Sequence, residues 1–209
     1  MRSGGAVEAG KKSITTDPTS PTIIREWLER RSSTESRHVE LHEGIWWQSL
    51  PFDGVVLGDL ATPCEVFGRA RDARGTALYE VRVCSVARTV TSTHVSLAIP
   101  SRLGVLGRAD TIIVPGIDDL NREVPEDIVA ALRRAVHRGS RVASICTGAF
   151  VLAQTGALDG RTATTHWAVA KVLAERFPRV SVDPDVLYVD HGNVLTSAGR
   201  RRGWICAYT

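Results

Sequence analysis

A chain of 209 residues, 43% hydrophobic and 23% charged, has the length and composition of one globular domain with a core to bury. No stretch approaches the roughly 18 apolar residues of a membrane-spanning helix, and 18 Gly and 9 Pro scattered without period exclude a fibrous protein. The net charge of +3 equals the run Arg200-Arg201-Arg202, so the rest of the chain is balanced and offers no electrostatic footprint for nucleic acid. Cys64, Cys84, Cys146 and Cys206 form no C-x-x-C pair, and no charged start leads into an apolar segment, so a reducing cytoplasm is the expected setting.

From Met1 to about Gly44 the sequence is polar and Ser/Thr-rich and reads as mostly disordered. After Phe52 the pattern changes. Tyr79 to Val86 alternates like a strand, and Thr111-Ile-Ile-Val-Pro115 is a β-branched run of the buried kind. Pro125-Glu126-Asp127 opens a helix with Ile128, Leu132, Ala135 and Val136 at helical spacing, closed by Gly139. Arg141 to Ile145 is a further strand, Thr147 to Thr155 a helix ending at Gly156, and Trp167 to Phe177 a helix ahead of Pro178. Val186 to Val189, a turn at Asp190 to Asn193, and Val194 to Thr196 predict a hairpin. Strands alternating with helices imply βαβ units and a mostly parallel sheet, which a hairpin can extend antiparallel.

Chemistry is best placed in Arg141-Val-Ala-Ser-Ile-Cys-Thr-Gly-Ala-Phe150, where a buried strand runs into a single Cys, small residues and a helix. Such a turn projects its side chain at the carboxyl edge of the sheet, where open α/β sheets bind ligands. Helix amides beyond Cys146 would favour its thiolate, as at a nucleophile elbow. The plainer reading is that Cys146 is a buried apolar thiol. Metal ligation has little support: His38 and His42 share i,i+4 spacing in the polar N-terminal segment, and Asp190 and His191 fall in the hairpin turn. The Trp46-Trp47 pair lacks the basic groove that a nucleic-acid stacking platform needs.

Five segments resemble the ThiJ/PfpI superfamily: Gly54 to Phe67, Val114-Pro-Gly116, Ala143 to Phe150, Leu158 to Trp167, and Val194 to Gly199. Within it they are most similar to the N-terminal domain of GlxA-type regulators of the AraC family. The resemblance implies a flavodoxin-like three-layer sandwich of the class I glutamine-amidotransferase kind, commonly dimeric, with a ligand pocket at the Cys elbow and no cofactor. Carried over by position, Cys146 takes the elbow, Asp59 the acidic position facing it, and His166 the superfamily's nearby histidine. Thr147, Gly116 and Pro115 would line the pocket, with Glu65 as a further candidate. Each has a plainer role open to it: Asp59 as the cap of the following helix, Glu65 as a solvated or capping residue, His166 as a hydrogen-bonded helix-start residue.

The chain departs from that family at both ends. Gly44-Ile-Trp-Trp-Gln-Ser-Leu-Pro51 puts polar residues and a proline where the family runs a buried apolar strand. Read in the neighbouring frame with permitted codons, Trp46-Trp47-Gln48 becomes Leu-Val-Ala, and the last residues become Asp-Leu-Cys-Leu-His. The expectation is that residues 1 to about 51 and 200–209 are translated out of an ancestral frame, which the gene's nucleotide sequence tests. Losing the strand's apolar side chains would cost about 1.5–3 kcal/mol for each large residue, so the chain is expected to fold marginally. The resulting organisation is an out-of-family segment 1–44, a ThiJ/PfpI-like domain 45–199 and a basic tail 200–209.

Two functions follow from the resemblance. One is a sensory domain binding a small amide, amine or amino-acid-like ligand, as a homodimer, without the helix-turn-helix part and so without DNA binding of its own. The other is a stand-alone hydratase or amidase-like enzyme of the isonitrile hydratase kind, with Cys146 as nucleophile and Asp59 as acid/base.

Overall fold

The computed structural model describes residues 45–199. The readings made for His38, His42, the N-terminal segment and the Arg200–Arg202 tail lie outside the described residues.

Strand β1 (Ile45–Ser49) is followed by helix α1 (Leu57–Arg69), β2 (Tyr79–Ser85), a short hairpin of β3 (Thr89–Thr91) and β4 (Ser96–Ala98), and β5 (Ser101–Arg102). Next come β6 (Thr111–Val114), α2 (Glu126–His137), β7 (Arg141–Ile145) and α3 (Gly148–Gln154). The chain continues through β8 (Thr162–Ala163), α4 (Ala170–Arg176), β9 (Ser181–Val182), β10 (Tyr188–Asp190) and β11 (Val194–Ser197).

The main sheet has the order β10-β11-β7-β6-β1-β2-β5. Its ladders are parallel except at the edge, where β10 runs antiparallel to β11 across the expected hairpin. The strands β2-β1-β6-β7-β11, renumbered as they occur in the chain, give the flavodoxin-like order 2-1-3-4-5. Strand order reverses between β1 and β6, the kind of point at whose strand carboxyl ends open α/β sheets bind ligands.

Residues 44–51, polar where the family runs an apolar strand, leave open a makeshift strand from Ile45, Trp46, Trp47 and Leu50, and a strand forms there. Ile45–Ser49 forms β1 between β2 and β6, in register Ser49↔Val83 and Ser49↔Ile113. A ladder uses backbone groups, which polar residues carry as well as apolar ones, and Pro51 with its missing N–H falls beyond the last paired residue. The Leu50 amide donates to the Ile113 carbonyl at 3.0 Å, and Leu50 is fully buried.

The two faces of the sheet are covered differently. On one, Leu50, Cys84, Ile112, Val114, Val142 and Val194 meet Ile128 and Leu132 of α2, Phe150 and Leu152 of α3, and Leu173 of α4. On the other, Val83 packs with Leu60 and Cys64 of α1 and with Val90 and Ile99 of the β3–β4 region. Helices thus flank the sheet on both sides, the three-layer sandwich expected. Helix α2 shows why sequence reading worked there. Ile128, Val129, Ala131, Leu132 and Ala135 are buried, Glu126 and Asp127 sit at its positive end, and Arg134 and His137 sit at its negative end.

The helix expected over Trp167–Phe177 is split. A 3₁₀ turn at Trp167–Val169 precedes α4, because Val169 at φ −122° leaves helical geometry and the His166 ring caps the turn.

Candidate functional site

At the end of β7 the backbone turns sharply enough that Cys146 takes φ 55°, a left-handed conformation shared by no other non-glycine among the described residues. A side chain at such a φ is strained, and the surroundings must hold it. They do so on three sides. The Cys146 amide donates to Ser197 O of β11 at 2.9 Å, and its carbonyl accepts from the Thr165 hydroxyl at 2.9 Å. Gly199, just past β11, has no side chain because one would begin 2.7 Å from Cys146 Cβ and 3.3 Å from its Sγ. On the far side, Gly148 lets α3 close onto β6, where a Cβ would stand 2.4 Å from the Val114 carbonyl oxygen and 2.8 Å from that of Pro115.

Asp59 reaches this elbow from the first turn of α1. The amide of Val56 donates to Gly116 O at 2.8 Å, and Val55 bridges Ile117, so the start of α1 is tied to the loop after β6. Asp59 is 5% exposed and hydrogen-bonded to the Cys146 thiol. The capping reading of Asp59 is therefore corrected: α1 begins two residues earlier at Leu57, and its N-cap Val56 makes no side-chain bond. Asp59 is a buried first-turn residue facing the thiol.

These surroundings set the acidity of Cys146. Burial, then the negative charge of Asp59 and its hydrogen bond, push the thiol up to about 12 from an ordinary 9.0, against an opposing pull from the Thr147 amide and hydroxyl. The Thr147 hydroxyl has one proton, which it donates to Ile117 O at 2.7 Å, so the opposing pull is the weaker. This corrects the expectation that helix amides would favour the thiolate: desolvation and a neighbouring carboxylate outweigh them.

The remaining candidates divide. Pro115 and Gly116 are buried at the end of β6, and Thr147 is fixed to Ile117 beside them, so all three surround the Cys146–Asp59 pair. His166 lies next to Thr165, half-buried, with Nδ1 accepting from the Ala168 amide at 3.3 Å and its ring tilted against Trp167 at 5.5 Å. It occupies the helix-start role. Glu65 does not join the cluster: it is exposed and pairs with Arg69 at 2.6 Å along the surface of α1. Six residues along an α-helix is a rotation of about 240°, so Glu65 and Asp59 cannot share a face.

Asp190 accepts from the Gly192 amide at 2.7 Å and pairs with Arg141 at 3.2 Å, while His191 Nε2 lies 2.8 Å from Thr162 O. Both serve the turn. Among the described residues no group of three or more His, Cys, Asp or Glu side chains could hold a metal ion, and no helix is long and apolar enough to cross a membrane.

Sequence reading missed Thr165 and Gly199 as parts of the site. Two consecutive fully buried threonines, Thr164 and Thr165, and a glycine at φ +70° directly after a strand are their signals, and only the first residue types are visible in the sequence.

The DJ-1/PfpI family matches residues 50–204, most of the chain and all of this constellation. The chain belongs to the DJ-1/PfpI family. A Streptomyces lividans protein of the cpoL 5′ region is 39% identical over 132 residues, 62% of this chain and 92% of that protein. The HTH-type transcriptional regulator GbdR of Pseudomonas aeruginosa is 29% identical over 157 residues, 73% of this chain but 43% of the regulator. The chain thus spans less than half the length of that relative. An isonitrile hydratase of Pseudomonas putida is 34% identical over 98 residues, covering 45% of this chain and 40% of the hydratase. Among solved structures, an AraC family transcriptional regulator from Pseudomonas putida superposes with a TM-score of 0.61 over 74% of this chain and 83% of that one. At 16% identity this is a likeness of fold. This DJ-1/PfpI domain is therefore related to an HTH-type transcriptional regulator and, over a shorter stretch, to an isonitrile hydratase.

Proposed function

We propose that residues 45–199 are the small-molecule-sensing domain of a GlxA-type AraC-family regulator, with DNA binding belonging to a different part of such a protein. The observation that carries this reading is the neutral Cys146 thiol held against the buried Asp59 carboxylate. A site for nucleophilic attack needs a ready thiolate. This one instead offers a carboxylate acceptor and a weak S–H group in a desolvated corner, which suits recognition. The relation to GbdR over 73% of the chain supports the same side.

The ligand is a small amide, amine or amino-acid-like molecule. A carboxylate in the site accepts from N–H donors and repels another anion. A homodimer in the cytoplasm is part of the same reading. Calorimetric titration with a panel of small amides, amines and amino acids tests it. Saturable binding is expected, weakened about 10-fold or more in Asp59→Asn by loss of a charge-assisted hydrogen bond. No binding by any member of the panel, in protein that melts cooperatively, overturns it.

One observation favours a second reading, a hydratase acting through Cys146 and Asp59. The Asp59 carboxylate is hydrogen-bonded to the thiol and so stands where it can take its proton. Loss of an added isonitrile in the presence of the chain, abolished by Cys146→Ala, would establish it.

A further inference from the structure

Gly116 ends the strand-to-loop segment Val114-Pro115-Gly116, and its Cα faces the centre of the site. A Cβ there would lie 2.4 Å from Asp59 Oδ2, 2.9 Å from Thr147 Oγ1 and 3.3 Å from Cys146 Cβ. The φ of Gly116 is not among the positive ones, unlike those of Gly54 and Gly199. Its backbone is one that any residue adopts, so what the position needs from glycine is room.

Where the room would come from decides the consequence. Thr147 cannot give, because its hydroxyl is bonded to both the amide and the carbonyl of Ile117 at 2.7 Å. Helix α1 cannot move away as a body without breaking the 2.8 Å bond from the Val56 amide to Gly116 O, and Asp59 N is bonded in turn to Val56 O at 3.0 Å. The part free to turn aside is the Asp59 carboxylate, whose departure would separate it from the thiol.

We propose that Gly116 is a positioning residue: the space left by its missing side chain is what allows the Asp59 carboxylate to meet the Cys146 thiol. The inference concerns the same site as the sensing role but does not depend on what the site binds, because thiol chemistry reads it without ligand. Around Cys146, α1 brings the charge of Asp59, the β6 and β11 ends bring the uncharged Gly116 and Gly199, and the loop after β8 brings the Thr165 hydroxyl.

The test is the pH dependence of Cys146 alkylation by iodoacetamide, read at peptide level by mass spectrometry so that Cys64, Cys84 and Cys206 are scored apart. In Gly116→Ala the midpoint moves down toward that of Asp59→Asn, and adding Gly116→Ala to Asp59→Asn moves it no further. A folded Gly116→Ala protein with the wild-type midpoint overturns the proposal, as does an equal shift in both backgrounds. Should Gly116→Ala fail to fold, the urea midpoint of Gly116→Ala/Asp59→Ala is compared with that of Asp59→Ala. Removing the carboxylate relieves the closest of the contacts and leaves the 2.9 Å approach to Thr147 Oγ1, so a folded double variant close to Asp59→Ala supports the proposal. Loss of folding in the double variant as well overturns it.

Discussion

The hydroxyl of Thr147 holds Ile117 twice, accepting from its amide and donating to its carbonyl, each at 2.7 Å. One side chain at the β7 elbow thereby latches the loop that follows β6. The latch places Gly116 beside Cys146, while the Val56–Gly116 bond brings α1, and with it Asp59, to the same point.

Thr147→Val keeps the shape of this latch and removes its hydrogen bonds. Two half-buried backbone groups of Ile117 then lose their partner, which costs about 1–3 kcal/mol. Thr147→Ser retains the hydroxyl and stays within a few tenths of a kcal/mol of the latch's strength by the same reasoning, so about 0.5 kcal/mol separates it from wild type. Urea melts of the three proteins at pH 7 make the comparison.

Alkaline pH should unfold the chain through its thiols. Cys84 and Cys146 are both raised from 9.0 to about 12, chiefly by burial. Above pH 9 the unfolded chain releases these protons while the folded chain keeps them, so the unfolded state binds fewer protons and stability falls as pH rises. The stability that these thiols confer is whole below about pH 9 and is lost progressively as pH climbs toward about 12. Urea midpoints between pH 7 and 11 should be level at first and then decline, with a shallower decline in Cys84→Ala/Cys146→Ala.

Ser49 in the central strand is fully buried, and its hydroxyl has no hydrogen-bond partner among the described residues. Deleting the hydroxyl removes an uncompensated desolvation and leaves a cavity no larger than an oxygen atom. Ser49→Ala should therefore be neutral to stabilising, by up to about 1–2 kcal/mol, as read from the shift in urea midpoint.

Two glycines should respond to alanine in opposite directions. Gly148→Ala drives a methyl group to 2.4 Å from Val114 O, pushing α3 off β6 and costing about 1–3 kcal/mol. Gly68 lies within α1 with nothing inside 4 Å of an added Cβ, so Gly68→Ala should stabilise by about 0.5–1 kcal/mol through helix propensity. Thermal melts under one set of conditions compare them directly.

Much of the sheet was legible because its strands announce themselves locally. Thr111–Val114 is a β-branched run buried throughout, Arg141–Ile145 alternates between buried and half-buried residues, and the Asp190–Asn193 turn marks its own hairpin. The elbow at Cys146 was legible for a similar reason, since a strand followed by Cys-Thr-Gly and a helix leaves few other paths. The start of α1 was not. Asp59 looks like a cap, yet Val56 holds that position because the bond to Gly116, sixty residues later in the chain, fixes where the helix begins. Strand β1 was legible only as a makeshift strand from Ile45, Trp46, Trp47 and Leu50, because the polarity of Gln48 and Ser49 obscures a ladder made by backbone groups. The Gly199 and Thr165 contacts with Cys146 join residues distant in sequence, and no local pattern carries them.

The central claim is that the Cys146–Asp59 site recognises a small molecule and leaves it unchanged. The most direct measurement incubates the chain with each amide, amine and isonitrile that it binds, then quantifies ligand and products by mass spectrometry beside a Cys146→Ala control. The account predicts full recovery of ligand from both proteins, with binding weakened in Asp59→Asn. Consumption by the wild-type chain that stops in Cys146→Ala would contradict it and make the site an enzyme's.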